Sequence, residues 1–230
     1  MQPPRFAGVV MFPLRDNNPK RGTAFLMWLV LATNVAVFVY QLSLNQVELE
    51  RFFLDYSFIP QLFFQNPIGN AYRLVSSMFV HGSVAHILSN MFFLWVFADN
   101  IEDRLGHGRF VVFYLLGGVI ATLAHGLFAI RSPVPMVGAS GAISAMLGAY
   151  IILFPRQRVL TFIPPFFIFW LPAWLYLGYW GLLQFVEATS GIVVGSQGGV
   201  AWWAHVGGFV YGFLMVRTFT APQPEREYWQ

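Results

Sequence analysis

The stretch "MVGASGAISAMLGAY", Met136–Tyr150, holds three glycines, four alanines and two serines, and no charge. Such a run is apolar enough for a membrane, and its small residues let helices approach backbone to backbone. It predicts a helix over Gly138 to Phe154. Packing accounts for most of its composition but not for Ser140. That serine falls in the predicted first turn, between Gly138 and Gly141, just after a Pro-containing turn. A packing serine has no need of that setting; a nucleophile does.

The rest of the chain places this stretch in a bilayer. Of 230 residues, 57% are hydrophobic and only 10% charged. A soluble domain carries about 25% charged residues. So few charges cannot cover a water-facing surface, so an integral membrane protein of one compact unit is expected. There is no cysteine, which excludes a disulfide framework and thiol chemistry. A net charge of +3 is too small to point to a nucleic-acid partner.

A spanning helix needs about 20 mostly apolar residues, and six segments qualify as candidates. They are Thr23–Leu44, Ser83–Ile101, Phe110–Ile130, Gly138–Phe154, a fifth within the uncharged run Val159–Val186 after Pro164-Pro165, and Val200–Val216. The second and fourth are short or polar for lipid contact and are read as central. The first is too long for a signal peptide, and no small-residue cleavage site follows it, so it reads as a retained anchor. The expected fold is therefore all-α, a bundle of six transmembrane helices with a long interfacial loop between helices one and two. That loop, residues 45–82, is rich in Phe and Tyr, as interfacial segments are. Residues 1–22 read as an N-terminal cytoplasmic segment, 23–217 as the membrane domain and 218–230 as a polar tail. Glu187–Gly199 reads as a mobile Gly- and Ser-rich loop.

Lys and Arg placement sets orientation. With six alternating helices, ten basic residues fall on one side: Arg5, Arg15, Lys20, Arg21, Arg104, Arg109, Arg156, Arg158, Arg217 and Arg226. Only Arg51, Arg73 and Arg131 fall on the other. Both termini are thus expected in the cytoplasm.

Under this topology helices two, four and six run in one direction, and each carries its unusual polar groups near its start. His86 and Asn90 are four apart on one face of helix two. Ser140 opens helix four and His205 lies near the start of helix six. At 1.5 Å per residue all four lie within about 10–12 Å of the outer ends. Polar groups at such depth face a bundle interior or a water-filled cavity. An imidazole can take the proton of a serine hydroxyl. His86, the Asn90 amide and the first-turn N–H of Ser140 are candidate donors to an oxyanion. No carboxylate is predicted at this depth, since Asp99 and Glu102 fall at the other end of helix two. The set reads as a Ser–His dyad. In helix six Gly208 and Gly212 are four apart, matching Gly141, Ala145 and Ala149 in helix four. If these faces meet, His205 reaches Ser140.

Duller readings exist for each residue. Ser140 can be packing, His205 an interhelical hydrogen-bonder, Arg73 an interface anchor, and His81 and His125 structural. Co-occurrence lifts the catalytic reading above them. A metal site from His81, His86 and His205 is not expected: five-residue spacing does not align the first two on one helical face, and HExxH is absent.

The motifs "GASG" at Gly138–Gly141, "HVGGFVYG" at His205–Gly212 and "HGSVAHILSN" at His81–Asn90 together resemble the rhomboid family of intramembrane serine proteases. The resemblance runs from about residue 25 to 217 and fits the six-helix bacterial form. It implies Ser140 as nucleophile, His205 as general base, and His86 and Asn90 as oxyanion stabilisers. Gly138 matches the family glycine two before the serine, and Arg73 the arginine that holds the first loop. The implied substrates are single-pass membrane proteins cut in or near the bilayer, without a cofactor. A bacterial cell membrane, with the site opening outward, is the implied location. Two positions depart from the pattern: Tyr72 replaces the tryptophan usually paired with the loop arginine, and Ser144 stands where some members have an aromatic against the catalytic histidine. The rival readings are an inactive rhomboid-like protein that binds membrane clients and a small transporter. The latter should show inverted repeats or a charged path, and the sequence has neither.

Overall fold

A computed structural model describes residues 11–19, 22–194 and 201–220, with backbone alone at 191–194. Helix α1 (Phe25–Ser43) is followed by three short helices, α2 (Gln46–Tyr56), α3 (Pro60–Gln65) and α4 (Arg73–Ser76). The long helices α5 (Val84–Leu105) and α6 (His107–Phe128) come next, then α7 (Ser140–Leu153), α8 (Ala173–Val194) and α9 (Trp202–Phe219).

Among the described residues, three helices are long and apolar enough to cross a membrane: α1, α5 and α6. The other three expected spans are helices as well, but α7 has only 14 residues and α8 and α9 are not counted among the three. The physical reason for the short α7 is its position. Every residue from Gly141 to Tyr150 is buried, so protein and not lipid surrounds it. The fifth segment starts later than its composition indicated, at Ala173, and runs on through Glu187 to Val194. The first part of the expected Glu187–Gly199 loop is thus helical; residues 195–200 and the tail from 221 lie outside the described residues.

The fold is mostly helical but not all-α. Strands β1 (Phe12–Asp16), β2 (Arg158–Ile163) and β3 (Phe167–Pro172) form an antiparallel sheet in the order β1-β2-β3. Phe12 pairs with Phe162, Arg158 with Pro172 and Ile163 with Phe167. The residues explain it: "RVLTFI" and "FIFWLP" are β-branched and aromatic runs on either side of a Pro-Pro turn, which a helix could not continue through.

One end of the bundle is closed by carboxylates. Buried Glu102 on α5 accepts the free first-turn N–H groups of Leu26 (3.0 Å) and Met27 (2.6 Å), so its charge meets the positive end of α1. Asp16 of β1 accepts hydrogen bonds from Asn100 on α5 (2.6 Å) and the Tyr150 hydroxyl on α7 (2.5 Å), tying the sheet to the same end.

The core is α7 held between α9, α6 and α5. A side chain on Gly208 would strike the Gly141 carbonyl, one on Gly212 the Ala145 carbonyl, and one on Gly148 the Phe209 carbonyl. This rising register makes α7 and α9 parallel, in backbone contact. Across the other side, a Cβ on Gly141 would lie 2.7 Å from Ala121 Cβ of α6. The faces predicted from the four-residue spacing of small residues are those that meet.

Candidate active site

Three chain segments bring the site together. Before α7, Met136 and Phe58 exchange backbone hydrogen bonds (3.0 and 2.8 Å), and the Gly138 N–H donates to the Ser77 carbonyl (2.9 Å). The segment between α1 and α5 therefore sets where α7 begins. Gly138 has φ +114°, a left-handed conformation that a side chain resists. A Cβ there would also come 2.6 Å from His86 Nε2.

Arg73 braces this segment. Its buried guanidinium donates to Asn70 Oδ1 (2.8 Å), the Ser57 carbonyl (3.0 Å) and the Leu54 carbonyl. Tyr72, at the departure from the family pattern, lies under that guanidinium at 5.2 Å and donates its hydroxyl to the Asp55 carbonyl (2.8 Å). The phenol thus supplies both a ring face and a tether.

Ser140 is the first residue of α7 and His205 the fourth of α9. Parallel packing at Gly208 on Gly141 brings them level, and His205 Nε2 lies 2.8 Å from Ser140 Oγ. No side chain caps the first turn of α7. From α5, His86 and Asn90 converge on Gly138: the Asn90 Nδ2 would lie 3.4 Å from a Cβ at that glycine. Asn90 is buried, and its Nδ2 has no hydrogen-bond partner among the described residues. An unsatisfied buried donor is costly, and here it lies beside the backbone that leads into Ser140. The expected residues Ser140, His205, His86, Asn90 and Gly138 thus occupy one site. Gly141, Gly208 and Gly212 lie in the α7–α9 seam beneath it. Arg73 lies apart from them, within the loop.

One residue of the site escaped the sequence reading. His205 Nδ1 lies 2.7 Å from Oε1 of Gln184 on α8. Gln184 is buried, and its own Nε2 donates to the Trp180 carbonyl one turn earlier (3.3 Å). Trp180 and Trp202 flank the imidazole, with ring centroids 6.1 and 5.8 Å away. This is the support that Ser144, whose hydroxyl turns back to the Ser140 carbonyl (2.6 Å), does not give. A signal was present: Gln184 is the only amide or charged residue between Ala173 and Val186.

His81 lies outside the helices, 1% exposed, with its ring 5.1 Å from that of His86. Burial, then the neighbouring His86, lower its pKa to about 4, against an opposing hydrogen bond to the Phe79 carbonyl. Its backbone is held by Gln41 of α1, which accepts the His81 N–H (3.1 Å) and donates to its carbonyl (2.9 Å).

The Rhomboid domain family matches residues 69–222, more than half of the chain, and the protein belongs to the rhomboid family. Presenilin-associated rhomboid-like protein A, mitochondrial, of Danio rerio is 37% identical over 106 residues, 44% of this chain and 28% of that protein. Rhomboid protease GluP of Bacillus subtilis is 37% identical over 94 residues, 40% of this chain and 18% of that protein. Rhomboid protein 1, mitochondrial, of Saccharomyces cerevisiae is 28% identical over 214 residues, 91% of this chain and 56% of that protein. The chain therefore spans only part of the length of each relative. Two of these three are named as mitochondrial, so the relatives do not single out the bacterial cell membrane.

Proposed function

We propose that this protein is an intramembrane serine endopeptidase that cleaves single-pass transmembrane proteins with Ser140 and His205. The observation that carries the reading is the 2.8 Å approach of His205 Nε2 to Ser140 Oγ across the α7–α9 seam. Family membership, and a relative named as a protease, add to it.

The proposed reaction uses this geometry as follows. His205 Nε2 takes the hydroxyl proton as Ser140 Oγ bonds to the scissile carbonyl carbon. Charge develops on the carbonyl oxygen, where the Asn90 amide, His86 and the Ser140 N–H donate. The imidazolium then gives its proton to the leaving amine as the C–N bond breaks. Water, deprotonated by the same histidine, hydrolyses the Ser140 ester. Because the peptide carbonyls of a helix are already hydrogen-bonded, the substrate helix must unwind to present one.

In this reading α7, α8 and α9 complete a six-span membrane domain over residues 23–217. Both termini are cytoplasmic and the site opens on the opposite face. The ten-to-three distribution of Lys and Arg supports that orientation.

The test is cleavage of a single-pass substrate by purified enzyme in proteoliposomes. Ser140→Ala should lower the rate to background, a loss of at least about 10³-fold, with the thermal unfolding midpoint unchanged. A fluorophosphonate should label wild type and not the variant. Cleavage at the wild-type rate by Ser140→Ala would remove the assignment. A folded wild type that neither labels nor cleaves would indicate a non-catalytic, client-binding rhomboid.

A further inference from the structure

We infer that Gln184 is a positioning residue that sets the tautomer of His205, giving the site a neutral third member carried by α8. The inference rests on the dyad reading above and goes beyond it, because it assigns a role to a residue on α8 that touches no reacting atom.

Three hydrogen bonds run in a chain from α8 to Ser140. An amide side chain has a donor end and an acceptor end, and which end faces a neighbour is decided by the whole network. The Gln184 Nε2 end lies 3.3 Å from the Trp180 carbonyl oxygen. A carbonyl only accepts, so the amide nitrogen belongs there; turning the amide over would set two acceptor oxygens against each other. With the nitrogen so placed, Oε1 is the atom 2.7 Å from His205 Nδ1. An oxygen that can only accept requires Nδ1 to carry the proton. In a neutral imidazole Nε2 is then the bare nitrogen, and it faces the Ser140 hydroxyl at 2.8 Å. The direction of a backbone carbonyl on α8 thus fixes which nitrogen of a histidine on α9 is free to act as base for a serine on α7.

The alternative tautomer would be silent. With the proton on Nε2, the imidazole would donate to Ser140 Oγ and could not accept its proton. Neither of the other titratable groups near His205, His86 on α5 and His125 on α6, replaces the missing acceptor. Among the described residues, the group within hydrogen-bond distance of Nδ1 is the Gln184 amide. Burial gives the bond its strength: Gln184 is 7% exposed, and Trp180 and Trp202 wall the ring. An amide also differs from the carboxylate of a Ser–His–Asp triad. It orients the ring without placing a charge at this depth, where an unpaired carboxylate is expensive.

The decisive measurement is made on the wild-type enzyme. In wild type labelled with ¹⁵N-histidine, the His205 signals, assigned by their loss in His205→Ala, should show Nδ1 protonated and Nε2 bare. A protonated Nε2 at neutral pH overturns the inference, whatever the enzyme's activity. Gln184→Leu, similar in size but without an acceptor, should give a mixture of tautomers. Its kcat for the single-pass substrate should fall about 10–100-fold with KM within about twofold, since substrate is not touched. Gln184→Glu, which keeps an acceptor for Nδ1 but sets its second oxygen against the Trp180 carbonyl, should recover that loss only in part. A Gln184→Leu enzyme that unfolds at the wild-type temperature and keeps wild-type kcat would also overturn it. Failure of Ser140→Ala to abolish cleavage would instead sink the dyad, and the tautomer measurement would still stand on its own.

Discussion

Asn90 shows at the scale of one residue how a site can hold a group that folding alone would discard. Its amide nitrogen is buried, has no hydrogen-bond partner among the described residues and lies close to Gly138, two residues before Ser140. Removing an unsatisfied donor relieves a desolvation cost, and removing an oxyanion donor slows acyl transfer. Asn90→Leu should therefore leave the unfolding midpoint unchanged or raised while kcat falls about 100-fold. A parallel fall in both would mean that Asn90 is structural. Ser140, His205, His86 and Asn90 were all legible from sequence, because hydroxyl, imidazole and amide groups are rare in apolar helices and stood at matching depths. Gln184 was equally rare but its role was not legible. It depends on the rotation of α8 about its axis, which one glutamine in an apolar run does not report.

The seam between α7 and α9 decides the site at the scale of elements. Gly208 and Gly212 meet carbonyl oxygens of α7, not flexible side chains, so added volume cannot be absorbed by a rotamer change. Gly212→Val should push the two helices apart, at a stability cost of about 1–3 kcal/mol. It should also abolish cleavage, because the displacement carries His205 away from Ser140 Oγ. Thermal unfolding with an activity assay checks this; a variant with both properties intact would show that the seam is looser than the packing indicates. The helices themselves followed from composition and spacing. The sheet did not. Val159–Ile163 and Phe167–Leu171 are short apolar runs inside a longer uncharged stretch, and hydrophobicity alone does not separate a buried strand from a helix there. Only the pairing of the two with each other, and of β2 with the distant β1, reveals them.

At the scale of the whole molecule, stability depends on pH through a buried imidazole at one end of the bundle. His81 sits in the connection into α5, with its backbone clasped by Gln41 of α1. Its pKa lies near 4 in the fold against 6.5 in the unfolded chain. As pH falls below 6.5 the unfolded chain takes up the proton first, so the folded state loses stability down to about 4. Above that window the contribution is fully present. Unfolding midpoints measured across this range should fall more steeply for wild type than for His81→Gln; equal slopes would show that His81 does not set the acid limit.

The amino-acid sequence on its own determined that this chain belongs in a membrane, roughly where its helices lie, and which polar groups share a depth. Those properties depend on composition and on spacing along one helix, and both are local. The tertiary structure alone decided that β1 crosses to β2, that Glu102 caps α1, and that Gln184 meets His205. Each of these joins residues distant in the chain, through helix rotations and strand pairings that no single segment encodes.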